Sequence, residues 1–154
     1  MPAYFFDSNA LVKRYVSETG TSWAASIIDN PGGSHIHVAR ITGVEVVSAI
    51  ARRARSGSLT LADAIAALSL FRHEFFNNFT VTEISPVLVT RAMQLAETYA
   101  LRGYDAVQLA AALDVQSYLS SLTQSGLTMI SADVELNAAA RATGLITEDP
   151  NTHP

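Results

Sequence analysis

Apolar residues in this chain follow two rhythms. Short, largely apolar runs recur at Tyr4-Phe5-Phe6, His35–Ala39, Phe79–Glu83, Leu127–Ser131 and Leu145-Ile146-Thr147. Between them lie longer stretches with an apolar position every three or four residues. A short run bounded by turn residues reads as a strand covered on both faces, whereas the longer period reads as a helix packed along one stripe. The expected helices are Ser8 to about Val16, Ser22 to Asp29, and one capped by Thr42 that passes through Glu45 to Arg55 and stops at Gly57. Thr60 caps the next, running through Ala64 to about Phe76. Ser85 with Pro86 at the first helical position opens another to about Leu101. Gly103-Tyr104 separates it from a helix over Asp105 to about Leu122, and a last helix covers Asp133 to Thr143.

Strands that alternate with helices in this way predict a three-layer α/β/α sandwich around a mostly parallel sheet of about five strands. Such a sheet gathers the C-terminal ends of its strands on one edge, where α/β proteins place their sites. The length of 154 residues fits one domain, here residues 1–148, with Asp149–Pro154 expected as a loose tail.

Four carboxylates occupy places of chemical interest on that edge. Asp7 ends the first strand, Asp133 follows the fourth, Asp105 lies in the first turn of its helix, and Glu45 sits between Val44 and Val46. Each has a simple structural role open to it: the three aspartates as helix caps or first-turn acids, and Glu45 as a solvent-facing residue. As a group they pose an electrostatic problem, because clustered, half-buried carboxylates repel one another and lose hydration. A hard divalent cation answers it. Mg²⁺ or Mn²⁺ takes oxygen ligands, keeps waters for a phosphate substrate and activates one of them as a nucleophile.

Composition narrows the field. Without cysteine, disulfides and thiolate metal sites are excluded, and a reducing cytoplasmic setting is the expectation. The first residues carry neither a basic segment nor a long apolar one, so they read as a strand and not as a signal peptide. No apolar run reaches the roughly 20 residues of a membrane helix. The net charge of −4 is unusual for a nucleic-acid binder. The cations comprise nine arginines and a single lysine, Lys13. Arg52 and Arg53 either contact substrate phosphates or interact with the C-terminal dipole of their helix. His35 and His37 are expected on an exposed strand face, His73 and Glu74 on an exposed helix patch, and Phe71, Phe75, Phe76 and Phe79 in the core or a dimer face. Phosphate-binding, dinucleotide-binding and nucleophile-elbow motifs are absent.

The acidic segments also resemble a known family. Tyr4-Phe5-Phe6-Asp7-Ser8-Asn9-Ala10-Leu11-Val12-Lys13 looks like the opening motif of PIN domains, and Gly43-Val44-Glu45-Val46-Val47 like their second acidic position. Arg102-Gly103-Tyr104-Asp105-Ala106-Val107-Gln108-Leu109 is similar to VapC-type toxins, and Ser131-Ala132-Asp133-Val134-Glu135 matches the last motif. The resemblance spans about residues 3–147. It implies a PIN fold, an endoribonuclease dependent on Mg²⁺ or Mn²⁺, a homodimer, and inhibition by a VapB-type antitoxin. It assigns metal-site roles to Asp7, Glu45, Asp105 and Asp133 and supporting polar roles to Asn9 and Ser131, with Glu135 as a less favoured substitute for Asp133. Two competing readings are an aspartate-nucleophile phosphatase, which wants an acid where Asn9 stands, and a catalytically silent PIN-like binding module.

Overall fold

A computed structural model describes residues 1–122 and 126–154. Strands β1 (Ala3–Phe6), β2 (His35–Ala39), β3 (Thr80–Thr82), β4 (Leu127–Ile130) and β5 (Ile146–Glu148) form one sheet in the order β3-β2-β1-β4-β5. Every neighbouring pair is parallel, with Phe5 opposite His37 and Met129 in the central register. The sheet edge expected to gather the carboxylates is therefore common to all five strands.

Among the described residues, seven α-helices cover the two faces: α1 (Ser8–Leu11), α2 (Thr21–Ile28), α3 (Arg40–Ser56), α4 (Leu61–Asn77), α5 (Pro86–Tyr99), α6 (Gly103–Ser121) and α7 (Val134–Ala142). Side chains alternate across the pleat. Phe5, Leu127 and Met129 point into a core closed by α5, α6 and α7. Phe6, Ile36, Val38 and Ile130 point into the opposite core, closed by α1 to α4. Phe5 and Met129 in one core and Phe6 and Ile130 in the other are fully buried. The result is the expected α/β/α sandwich.

Local differences have local causes. The helix beginning at Ser8 is α-helical only to Leu11 and then tightens into a 3-10 turn over Val12–Arg14. Helix α3 starts earlier than anticipated, and its cap position is Ala39, without a side-chain bond. Thr42 lies one turn inside and is fully buried, so it serves the interior and not the helix end. Helix α6 begins at Gly103, and the break before it falls at Ala100, whose φ of 53° reverses the chain. Thr60, Ser85 and Asp133 cap as expected, each accepting from the backbone N–H three residues on.

Burial overturns three expectations. His37 is buried and Glu74 is buried, although both were read as surface residues. Glu74 accepts hydrogen bonds from Tyr15 (2.5 Å) and Arg14 (2.8 Å), so α4 uses it to hold the 3-10 turn. The tail is not loose. Pro150–Thr152 forms a short 3-10 helix with Pro150 buried, and His153 stacks on Trp23 with ring centroids 4.2 Å apart. Gly20 has a φ of 88°, and a Cβ there would come within 2.4 Å of the Pro150 carbonyl oxygen, so the loop before α2 and the tail are fitted to each other. Of the four phenylalanines, Phe71, Phe75 and Phe79 join the core and Phe76 is 73% exposed.

Candidate active site

The site is built at the C-terminal edge of β1 and β4. Asp7 follows β1 and caps α1, its Oδ1 accepting from the Ser8 backbone N–H at 2.7 Å. Its other oxygen, Oδ2, accepts from the Ser131 hydroxyl at 2.8 Å. Asp7 is only 3% exposed. Burial is the main reason its pKa is pushed up to about 7; the two hydrogen bonds oppose that rise, while Asp105 and Glu45 add to it by charge repulsion.

Asp105 lies in the first turn of α6 and is half-buried. Desolvation raises its pKa first, followed by repulsion from Asp133, with Glu45 and Glu135 contributing further. Asp133 caps α7 through Oδ1, which accepts from the Leu136 N–H at 2.9 Å. Asp7 and Asp133 are helix N-caps and Asp105 is a first-turn acid, the structural roles open to them from sequence. Through the field felt at Asp7 and Asp105, all four expected acids belong to one electrostatic cluster. Glu135 is exposed in the first turn of α7, at the margin of that cluster.

Glu45 is held differently. Its Oε1 accepts from the Ser8 hydroxyl at 2.9 Å and from Gln108 Nε2 at 3.1 Å. Gln108, 1% exposed, also reaches Ser8 Oγ at 3.0 Å and Thr42 Oγ1 at 2.9 Å. Ser8, Thr42 and Gln108 therefore bind α1, α3 and α6 together behind the acids. None of the three was given a site role from sequence, Thr42 having been read as a helix cap. The available signal was Gln108 itself, a polar side chain among Val107, Leu109 and Ala110 on a buried helix.

Asn9 and Ser131 brace the opposite side. Asn9 Oδ1 accepts from the Ala132 N–H at 2.9 Å, and Ser131 Oγ accepts from the Asp133 N–H at 3.1 Å while donating to Asp7. One serine thus couples two of the acids. Asn137 adds a further strut by donating to the Ser131 carbonyl at 2.7 Å.

Of the four acids, Glu45 lines a cleft of about 620 Å³. Its wall includes Glu45 and the chain neighbours of the other three: Ser8, Tyr104 and Ala132. Lys13, Arg52 and Arg53 line it as well. Among the described residues, no ion pair joins a basic side chain to any of the four acids. Their oxygens are donors of the kind a hard divalent cation takes. As the side chains stand, however, no group of three or more Asp, Glu or His residues among the described residues is arranged to hold an ion. The donor chemistry of the four carboxylates is that of a hard-cation site.

A parallel five-stranded sandwich with an acidic cluster at its central strand ends defines the class. The family model of the PIN domain matches residues 4–142, and the chain belongs to that family. It is 33% identical over 144 residues to Ribonuclease VapC45 of Mycobacterium tuberculosis (strain CDC 1551 / Oshkosh), covering 94% of this chain and 93% of the relative. The same values hold for Ribonuclease VapC49 of strain ATCC 25618 / H37Rv. Among solved structures, PAE2754 from Pyrobaculum aerophilum superposes with a TM-score of 0.61 at 22% identity, covering 98% of this chain and 92% of that one. VapBC2 from Rickettsia felis, bound to a promoter DNA fragment, gives 0.58 at 14% identity, covering 96% and 98%. At these identities the structures speak for the fold. Among the described residues, no helix is long and apolar enough to cross a membrane.

Proposed function

We propose that this chain is an endoribonuclease dependent on Mg²⁺ or Mn²⁺, the toxin of a VapBC-type module, acting as a homodimer in the cytoplasm and restrained by a VapB-type antitoxin. Two relatives that carry the name Ribonuclease VapC, matched over nearly the full chain, support the activity and the module. The observation that carries the mechanism is Asp7: a carboxyl buried beside further acids, with no basic side chain paired to it. That arrangement is costly unless a cation completes it.

Asp7, Glu45, Asp105 and Asp133 hold the ion in this reading. When bound, a divalent cation supplies positive charge at the scissile phosphate and water acidic enough to attack it. The remaining work belongs to the chain. Ser131 fixes Asp7 and, through its second hydrogen bond, the start of α7. Asn9 ties α1 to the loop after β4. Ser8 and Gln108 hold Oε1 of Glu45, leaving Oε2 without a hydrogen bond among the described residues. Arg52 and Arg53 contact the RNA backbone from the cleft wall.

The test is cleavage of a mixed RNA pool with Mn²⁺ or Mg²⁺, by the wild type and by Asp7→Asn and Asp105→Asn. Metal-dependent cleavage lost in both variants is expected. Undiminished cleavage by the two variants would reject this site. Calorimetry showing no binding of either ion at millimolar concentration would favour a silent binding module instead. The phosphatase reading has nothing to recommend it, since the place of its second acid is taken by Asn9, whose side-chain oxygen is already engaged with Ala132.

A further inference from the structure

The cleft lined by Glu45 also has a basic side. Lys13, the only lysine of the chain, follows α1 in the 3-10 turn and is 6% exposed, yet it lines the cleft together with Asn9 and Glu45. Its Nζ meets Glu18 Oε1 at 3.3 Å. The other oxygen of Glu18 meets Arg53 Nη2 at 3.2 Å. Glu18 is fixed at its backbone, where its N–H donates to Thr21 Oγ1 at 2.9 Å. A single carboxylate therefore sits between two cations on the wall of the cleft.

Both contacts are long. Well-formed charged hydrogen bonds run about 2.7–2.9 Å, as Arg14 shows with Asp29 in this same molecule at 2.7 and 2.8 Å. Glu18 and Arg53 also keep 29% and 31% of their side-chain surfaces exposed. A partly exposed pair such as Arg53–Glu18 contributes little to stability, whereas Lys13 makes its long contact with Glu18 from a buried position.

Helix α3 continues the basic half outward. Arg52 lies seven residues after Glu45, about 10 Å along the axis and only about 20° round it. The two share a face of the helix, as the cleft lining of Val44, Glu45, Ser48, Ala49, Arg52 and Arg53 records. Arg52 forms no hydrogen bond or ion pair with the described residues. Beyond it a second hollow of about 480 Å³ is lined by Ala49, Arg52, Arg53, Arg55 and Ser56, and it shares its first three residues with the cleft.

We propose that Glu18 is an internal stand-in for substrate phosphate: it occupies Lys13 and Arg53 in the free protein, and RNA binding transfers these cations, with Arg52, to the phosphates beside the scissile one. This rests on the ribonuclease reading and adds to it a positioning device with built-in competition. The competing carboxylate lowers affinity for any polyanion. It also keeps Lys13 from lying uncompensated beside the acids.

The experiment measures equilibrium binding of a fluorescein-labelled single-stranded RNA 12-mer, in EDTA and on an Asp7→Asn background, across about 50–200 mM KCl. Glu18→Gln is expected to bind about 3- to 10-fold tighter, with a steeper dependence of log K on log salt. Arg52→Ala is expected to flatten that slope by about 0.7, one phosphate contact on a single strand. In the active protein, Glu18→Gln should lower KM and leave kcat within about twofold, a split that a merely structural brace does not produce. Unchanged or weaker binding by Glu18→Gln would overturn the proposal. So would an unchanged slope in Arg52→Ala, an exposed position that puts the fold at no risk. If the binding shifts occur and the wild type fails to cut RNA with Mn²⁺, the nuclease reading falls and the phosphate clasp stands; cleavage without the shifts gives the reverse.

Discussion

At the scale of single residues, Asp7 carries the clearest consequence. Its folded-state pKa of about 7 lies above the unfolded value of 3.8. Between those values the folded protein binds more protons than the unfolded one, so stability falls as pH rises through this window and the loss is complete above about pH 7. Metal-free protein should therefore melt at a higher temperature at pH 5.5 than at pH 8. Asp7→Asn should reduce that difference, leaving the share that the raised pKa of Asp105 contributes in the same sense, and stabilise the metal-free protein at pH 8 by roughly 1–3 kcal/mol. Thermal denaturation in EDTA at the two pH values checks both. Gln108 makes a second case. Gln108→Met keeps the volume but removes the donor shared by Ser8, Thr42 and Glu45. It should cost about 1–3 kcal/mol in urea denaturation, because buried acceptors lose their partner, and lower cleavage about 10- to 100-fold through a misplaced Glu45. Asp7 and Asp105 were legible because each falls at an element start that chain order alone reveals. Gln108 was not, since its partners Ser8 and Thr42 lie 100 and 66 residues away and only the packed sandwich brings them together.

At the scale of elements, pattern reading succeeded where burial is two-sided and failed where polar groups are buried. The inner strands β1, β2 and β4 were recognisable because both faces are covered, which leaves short apolar runs, while the edge strands β3 and β5 are only partly buried. Glu74 and His37 were misplaced because polarity was taken for exposure, while Arg14 and Tyr15 supply the partners that let Glu74 enter the core. Glu74→Leu leaves Arg14 with Asp29 alone and Tyr15 without an acceptor. It should destabilise the chain by about 3 kcal/mol in chemical denaturation, the scale of a buried pair broken from one side. The tail is a further element that composition misjudged. Its polar residues and two prolines suggest disorder, yet Pro150 fills the space beside Gly20 and His153 covers Trp23. Removing residues 150–154 should shift the emission of Trp23, the only tryptophan, to longer wavelength. The same truncation should cost about 1–2 kcal/mol for the lost aromatic and proline burial.

At the scale of the whole molecule, a net charge of −4 has to coexist with a polyanionic substrate. The distribution of charge resolves this: the acids concentrate where a cation is proposed, and Lys13, Arg52 and Arg53 take the adjoining wall. An ion bound there would change the sign of the region that RNA must approach, and would link metal occupancy to fold stability through the same carboxylates. A ligand that binds only the folded state stabilises it by RT ln(1 + [L]/Kd), about 2.7 kcal/mol at a hundredfold excess over Kd. Titration with Mn²⁺ should therefore raise the melting temperature progressively. Protons compete for Asp7 below its pKa of about 7, which makes the rise larger at pH 8 than at pH 6. Asp105→Asn should reduce the rise at both pH values, and Glu74→Leu, remote from the acids, should lower the starting temperature but preserve the increment. An increment that ignores pH, or that survives in Asp105→Asn, would place the ion elsewhere and detach the stability of this sandwich from the chemistry at its edge.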